Sequence, residues 1–246
     1  MKARNDIAFV LYSVLDFEKR DTVERVLETL LSAPLPLRPT HYGHSEADQR
    51  ISDLKDVADL IVGVHRSATQ SERFGGVLLR SGRCRYQLQW SKMRKPSMPF
   101  LLGSVDRELI ESSPAQVSAL YDLIKKLVFE VTAVYGEIRD MSSPFSDMPI
   151  DLWKRLPDLP AVSIYGFPYL TMFGETRLRD APFCYMEQLS GGQYWLQASG
   201  TLLEPVSEQT KAAIRSHLGE DAFMSDGKRL YKTGLAPEFD TSHLRP

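Results

Sequence analysis

The stretch GVLLRSGRCRYQLQW, Gly76–Trp90, places the tightest limit on the fold of this chain. Apolar and polar side chains alternate on both sides of Ser81-Gly82, a pair that commonly forms a turn. An alternation with a period of two belongs to strands whose two faces differ, whereas the pattern of a helix repeats every 3.6 residues. We therefore predict a β-hairpin with strands at about 76–80 and 85–90.

Helical patterns surround this hairpin, so the chain is predicted to be α+β. The clearest helix begins at Ser113-Pro114, where Gln116 completes a capping box, and it is predicted to end at Gly136. Other apolar runs predict three more helices and several strands. The predicted helices are 17–32, 47–62 and 207–218, and the predicted strands are 7–14, 98–105, 137–140 and 161–165.

The same order of elements recurs in the second half of the chain. A second hairpin is predicted at 183–189 and 193–198, and a helix follows it, as one follows the first hairpin. Between the halves, 141–160 is rich in proline and turn-forming residues, which is typical of a linker. We therefore expect antiparallel hairpins packed with helices in two similar halves, 1–140 and 161–246, which either stand apart or pack as one domain.

Composition favours an ordinary globular protein of a reducing compartment. Of the 246 residues, 43% are hydrophobic and 25% are charged, and a chain of this size needs no disulfide or metal to stabilise its core. The two cysteines, Cys84 and Cys184, form no CxxC and are expected to be reduced. The apolar run Ile7–Leu15 has no cleavage site after it, and no run is long enough to span a membrane. A cytoplasmic location is expected.

The usual catalytic and cofactor motifs are absent from the sequence. It contains no GxSxG, HExxH, GxxxxGK[ST] or GxGxxG, so the common routes to acyl transfer, zinc hydrolysis and phosphate binding are missing. His41 and His44 have an HxxH spacing, but no second Cys/His cluster completes a zinc site. We predict no enzyme, no cofactor and no metal; a metal-dependent enzyme at the two histidines is an alternative that chelation would test.

Basic residues accumulate along the predicted hairpin. Together with Tyr86 and Trp90 they would suit a single-stranded nucleic acid, because bases stack on aromatic rings and cations contact phosphates. An edge strand that uses charge against aggregation is the simpler explanation, and the net charge of -2 favours it. Nucleic-acid binding through 73–95 is the alternative function. The basic residues are Arg73, Arg80, Arg83, Arg85, Lys92, Arg94 and Lys95.

The segment IYGFPYLTMFGETRLRDAPF, Ile164–Phe183, is rich in aromatic residues and has glycine and proline at turn positions. Pro168 is predicted to begin a short helix and Gly174 to end it, since proline suits a first turn and glycine suits a helix stop. Tyr169 and Phe173 then have helical spacing, which is typical of core residues. A structural role is predicted for most of this segment.

A set of motif residues links this segment to the later sequence HLGEDAF; they are Gly166, Pro168, Tyr169, Phe173, Gly174, Arg177, Leu178, Ala181, Pro182, His217, Leu218, Gly219 and Phe223. The pattern resembles the immunity protein 52 family of bacterial polymorphic-toxin systems, mainly over 159–223. The resemblance implies an α+β protein, without known catalytic residues, that binds and neutralises a cognate toxin in the cytoplasm. Such toxins are typically restriction-endonuclease-like nucleases, commonly delivered by type VI secretion.

A toxin that cleaves DNA has a basic surface, so an acidic inhibitor would associate with it quickly and exclude its substrate. Two acidic groups are therefore candidate toxin-binding residues, although a solvated helix face explains any one of them equally well. If the first group is an interface core, charge reversal at Asp53 and Asp56 is expected to weaken binding by more than about 2 kcal/mol. The groups are Glu46, Asp48, Asp53, Asp56 and Asp59, and secondly Glu220, Asp221 and Asp226.

Overall fold

A computed structural model describes residues 6–63, 65–66, 72–93, 97–141, 151–223, 231 and 235–245. The chain divides into two compact units, here called the first unit (Asp6–Ala133 with Asp240–Pro246) and the second unit (Val134–Phe239 with Met1–Asn5). The predicted linker, 141–160, falls within the second unit, and its residues 142–150 lie outside the described residues. The predicted domain limits of 1–140 and 161–246 therefore stay a prediction.

The first unit is an antiparallel sheet with helices packed against it. Its elements are β1 (Asp6–Ser13), α1 (Arg20–Leu31), β2 (His41–Gly43), β3 (Gln49–Arg50), α2 (Leu54–Val62), β4 (His65–Arg66), β5 (Arg73–Arg80), β6 (Cys84–Lys92), β7 (Ser97–Asp106), α3 (Arg107–Glu111) and α4 (Pro114–Glu130). The strands follow the order β3-β2-β5-β6-β7-β1, and β4 also pairs with β5.

The second unit is a smaller antiparallel sheet with short helices. Its elements are β8 (Ala133–Asp140), β9 (Val162–Tyr165), α5 (Phe167–Phe173), α6 (Glu175–Arg179), β10 (Tyr185–Gln188), β11 (Tyr194–Gln197) and α7 (Glu208–Leu218). The strands follow the order β8-β9-β11-β10. A hairpin followed by a helix thus occurs in each unit, and the predicted α+β class is confirmed.

Both predicted hairpins are present. In β5 and β6, Arg80 lies opposite Arg85 across the turn. The alternation read from the sequence corresponds to two different faces: Leu88 and its i±2 neighbours in β6 are buried, whereas Arg85 and Gln89 are exposed. Burial of one face explains why this register is well specified, since a shift by one residue would expose the whole apolar set.

The strongest predicted helix ends earlier than expected. Helix α4 stops at Glu130, and Thr132 adopts a left-handed φ of 45° that turns the chain directly into β8. Gly136, the predicted helix stop, lies inside β8 opposite Ile164. The prediction was wrong at this end because apolar residues fill both the last helical turn and the buried strand, so the pattern contains no break.

The helix predicted at 47–62 begins later, at Leu54. The Asp53 side chain caps it by accepting a hydrogen bond from the Lys55 backbone N–H at 2.9 Å, and residues 49–50 form β3 instead. Conversely, a further helix, α6, begins directly after the predicted helix stop at Gly174. Both differences arise at polar residues, which are compatible with caps, turns and exposed helix alike.

Within the described residues, no helix has both the length and the apolar character needed to cross a bilayer. Cys84 is buried, Cys184 is exposed, and both are free thiols. Burial raises the pKa of the Cys84 thiol, so this side chain is uncharged at neutral pH and behaves as a small core residue.

Candidate partner-binding surfaces

Several cations of the β5–β6 hairpin form ion pairs with carboxylates of the same unit. The Lys92 ammonium donates to Asp16 at 2.9 Å and to Glu18 at 2.6 Å, and Arg73 lies 3.3 Å from the same Glu18 carboxylate. Burial alone would lower the pKa of Lys92, but its hydrogen bonds to Glu18 and Asp16 outweigh burial and raise it. These cations stabilise the segment after β1 and are not free to contact phosphates.

The two aromatic residues of the nucleic-acid alternative are buried. Trp90 is 2% exposed, and its indole N–H donates to the Ile61 carbonyl at 2.9 Å. The Tyr86 hydroxyl donates to the Leu37 carbonyl at 2.6 Å. Neither ring can stack on a base without unfolding, so the structure argues against single-strand binding by this hairpin.

The remaining basic residues of the hairpin lie in different environments. Arg83 lies 3.7 Å from Asp106, and the Arg80 guanidinium donates to the Ala47 carbonyl. Arg85 is exposed on the face of the sheet opposite Trp90. Arg94 and Lys95 lie outside the described residues. The basic surface that the nucleic-acid alternative requires is therefore interrupted by internal bonds.

The two histidines occupy the strand β2 and the residue after it. His41 Nδ1 lies 2.9 Å from the Thr40 hydroxyl, and His44 is exposed. Over the parts of the chain that the structure describes, no three His, Cys, Asp or Glu side chains are placed to hold a metal ion. The metal-dependent alternative thus gains no support from their geometry.

All five residues of the first acidic group are exposed, but three also have local structural roles. Asp53 caps α2, and Asp56 in the first helical turn interacts favourably with the helix dipole. Asp59 forms an ion pair with Arg20 of α1. Their positions are therefore explained by helix α2 without any partner.

Glu46 and Asp48 differ from the other three. They lie in the connection 44–48 between β2 and β3, where a Cβ at Gly43 would clash with the Glu46 carbonyl. Among the described residues, neither carboxylate has an ion-pair partner. These two residues are the members of the first acidic group whose charge is most available to another protein.

The second acidic group belongs to the second unit. Glu220 and Asp221 begin a short 3-10 helix, Glu220–Ala222, directly after α7. Asp221 also lines a groove beside the last turn of α5. Asp226 lies outside the described residues, so its position relative to the other two is not defined.

The two parts of the immunity-protein motif contact each other. The Arg177 Nε–H of α6 donates to the His217 carbonyl at 2.7 Å, and His217 Nε2 lies 2.9 Å from the Arg177 carbonyl oxygen. Gly219 ends α7 with a φ of 107°, a conformation that favours glycine. Residues far apart in sequence thus form one connection between α6 and α7.

Aromatic packing continues this connection into the core of the second unit. Phe173 and Phe223 stack with ring centroids 6.1 Å apart, and Tyr165 and Tyr169 stack at 5.3 Å. The other motif residues surround them: Gly166 and Pro168 start α5, Gly174 follows it with a φ of 81°, Leu178 and Ala181 are buried, and Pro182 is exposed before β10. Most motif residues therefore pack together in the core of the second unit.

Helix α5 also has an outward face. Phe167 is 81% exposed, Leu170 is half-buried and Thr171 is exposed, at the i, i+3 and i+4 spacing of one helix face. Tyr169 and Phe173 point the other way and are buried. The available signal was composition, because every residue of α5 except Thr171 is apolar.

A groove of about 230 Å³ adjoins the last turn of α5. Its apolar lining includes an exposed leucine, Leu235, at 53% exposure. Its charged residues are Arg177 and Asp221, which come from α6 and from the 3-10 helix. The apolar lining residues are Met172, Phe173, Leu218, Gly219, Ala222, Tyr231 and Leu235.

The buried carboxylate of Glu137 forms an ion pair with Arg139 in the same unit as this groove. Glu137 of β8 is 2% exposed and accepts hydrogen bonds from Arg139 Nε at 2.6 Å and from the Tyr135 hydroxyl at 2.7 Å. Burial raises the pKa of Tyr135, and burial would lower the pKa of Arg139 but Glu137 outweighs it and raises that pKa. Arg139 also donates to the Asp158 carbonyl.

Asp158 in turn fixes α7. Its carboxylate accepts hydrogen bonds from Lys211 at 2.9 Å and from Arg215 at 2.8 Å. The chain of contacts therefore runs from the buried Glu137, through Arg139 and Asp158, to the helix whose C-terminus lines the groove.

Comparison with solved structures shows a likeness in fold. No protein-family model matches the chain, and no curated protein matches it. Among solved structures, it is similar to the Pseudomonas aeruginosa T6SS protein PA0821, with a TM-score of 0.57 and 12% sequence identity. The match covers 86% of this chain and 75% of that chain. At this identity the likeness establishes a shared fold.

Proposed function

We propose that this protein is an immunity protein associated with a type VI secretion system, which binds and neutralises a cognate toxin in the cytoplasm of the producing cell. The observation that carries the proposal is the fold shared with the T6SS protein PA0821 over 86% of the chain. The motif resemblance to the immunity protein 52 family points the same way. Membership of that family is part of the proposal, since no family model matches.

The proposed mode of action is stoichiometric inhibition rather than catalysis. The residues that carry the family resemblance pack against one another in α5, α6 and α7, so they define a scaffold on which a binding surface is presented. A nuclease is the proposed target class, and it follows from the resemblance alone. An inhibitor of this kind needs only a complementary surface, and the second unit and the β2–α2 segment each offer one.

Co-expression tests the proposal. The protein and the toxin encoded beside its gene are produced together, purified through a tag on the toxin, and assayed for DNA cleavage. We expect a stable complex whose nuclease activity is suppressed in proportion to the bound inhibitor. Toxin that is recovered alone and cleaves DNA at full rate in the presence of excess inhibitor would contradict the proposal.

The acidic surface gives a more specific prediction. Replacing Glu46 and Asp48 with lysine is expected to weaken toxin binding by more than about 2 kcal/mol if these carboxylates face a basic toxin surface. These two residues are a sharper choice than Asp53, because reversal at Asp53 would also remove the cap of α2. Binding is measured by calorimetry at two salt concentrations, because a charged contact weakens with added salt.

The matched control for this pair is the replacement of Glu108 and Asp122 with lysine. Both are exposed acids of the first unit, on α3 and α4, and the change in net charge is identical. An equal loss of affinity in the two double variants would show that only overall charge matters. Unchanged affinity for the Glu46/Asp48 variant would remove this surface from the interface.

A further inference from the structure

Helix α5 violates the usual relation between composition and burial. A helix that is apolar on all sides is normally buried on all sides. In α5 only Tyr169 and Phe173 are buried, while Phe167 is 81% exposed and Leu170 and Met172 are half-buried. Contiguous apolar surface left in water marks an interaction site, whereas a single exposed apolar residue is ordinary, so the surroundings of Phe167 decide its meaning.

The groove extends this apolar surface. Seven helical residues rise about 10 Å, so Phe167 and the groove at the other end of α5 fit within the footprint of one partner. Met172 belongs to the helix and also lines the groove, which joins the two features. Leu235 adds a second strongly exposed apolar side chain.

Charge indicates what kind of partner would fit. The Arg177 guanidinium is exposed beside the groove; its Nε–H is bonded to the His217 carbonyl, and no carboxylate among the described residues is paired with it. Arg179 on the same short helix, by contrast, is already bonded to Glu175. An arginine next to apolar surface suits a carboxylate flanked by an apolar anchor, because a charge-assisted bond strengthens when water is excluded.

We propose that the outward face of α5, with Phe167 as its anchor, and the adjoining groove form a docking surface for the cognate toxin. The complementary toxin segment carries an apolar side chain for the groove and a carboxylate for Arg177. This inference rests on the proposed function and names the surface that performs it. It is distinct from the acidic group of the first unit, which addresses a basic part of the toxin.

Substitution at Phe167 tests the inference. Phe167→Ala is expected to weaken binding of the toxin encoded beside the gene at least about 30-fold, the loss typical of a hot-spot aromatic residue, and Phe167→Asp is expected to weaken it further. Arg177→Gln is expected to weaken it about 10-fold through the lost charge. Dissociation constants are measured by calorimetry with the full chain.

Leu35→Asp is the matched control. Leu35 is 77% exposed and belongs to the first unit, whereas α5 belongs to the second, so this variant introduces the same charge at a similarly exposed apolar residue of the other unit. We expect wild-type affinity for it. Melting temperatures of all variants are measured in parallel, and those of Phe167→Asp and Leu35→Asp are expected to match the wild type because both side chains are in water.

The outcomes separate this inference from the proposed function. Wild-type binding with equal affinity for Phe167→Asp overturns the docking surface and leaves the immunity function standing. Absence of wild-type binding overturns both. A wild-type protein that is dimeric by light scattering, with a monomeric Phe167→Asp variant that still binds toxin normally, would assign the surface to a second copy of this chain and also overturn the inference.

Discussion

Replacing Glu137 with alanine is expected to lower the free energy of unfolding by about 3–5 kcal/mol. The change leaves the Arg139 guanidinium and the Tyr135 hydroxyl without the carboxylate that now accepts from both, and Tyr135 is fully enclosed. The cost is that of a half-buried cation that loses its carboxylate and a buried hydroxyl that loses this acceptor, which exceeds the net value of the bonds themselves. Urea unfolding followed by tryptophan fluorescence measures the effect.

Glu208→Ala provides the comparison within the same unit. Glu208 also pairs with a lysine and an arginine, Lys211 and Arg215, but its side chain is 78% exposed. We expect this variant to lose less than about 1 kcal/mol, because solvent screens exposed ion pairs. Similar losses for the two glutamates would contradict the assignment of Glu137 as a buried partner.

A compensated variant tests the cause of the loss. Glu137→Leu combined with Arg139→Met and Tyr135→Phe removes all three polar partners together. Apolar replacement of a whole buried ion pair is often neutral for stability, so the triple variant is expected to regain most of the loss. If the triple variant also loses toxin binding, the network would have a further role in holding α7 beside the groove.

Much of the fold was accessible from the sequence because its signals are local. The alternation around Ser81-Gly82 fixed both strands of the first hairpin, and Ser207 and Gly219 marked the limits of α7. The position at which α4 ends could not be predicted from the sequence. There the chain turns at Thr132, a residue type that rarely takes a left-handed conformation, and it enters β8, whose pairing with β9 joins residues that are distant in sequence.

The candidate surfaces were less accessible, for a physical reason. Side-chain spacing shows which residues share a face but not whether that face is covered, so Trp90 suited a nucleic-acid surface until its bond to Ile61 was seen. Phe167 presents the opposite case, because an aromatic residue in an apolar helix suggests core and yet lies in water. In both cases burial depends on elements distant in sequence.

Trp90→Ala is expected to lower the free energy of unfolding by about 3–5 kcal/mol, the usual cost of truncating a buried aromatic side chain. The backbone around the indole is fitted closely to it: a Cβ at Gly75 would lie 2.4 Å from the Ile61 carbonyl oxygen and 2.5 Å from the indole nitrogen. Loss of the ring also leaves the Ile61 carbonyl without its donor. Far-UV circular dichroism during urea unfolding measures the change.

The Trp90 result decides between core residue and stacking platform. Phe129 of α4 is 53% exposed in the same unit, and Phe129→Ala is expected to change stability by no more than about 0.5 kcal/mol. If Trp90 stacked on bases, its replacement would change stability as little as that of Phe129 and would instead reduce affinity for a thymidine oligonucleotide. Trp90→Ala that unfolds like the wild type but loses salt-sensitive oligonucleotide binding would reverse the assignment, and the basic hairpin would then become the functional surface.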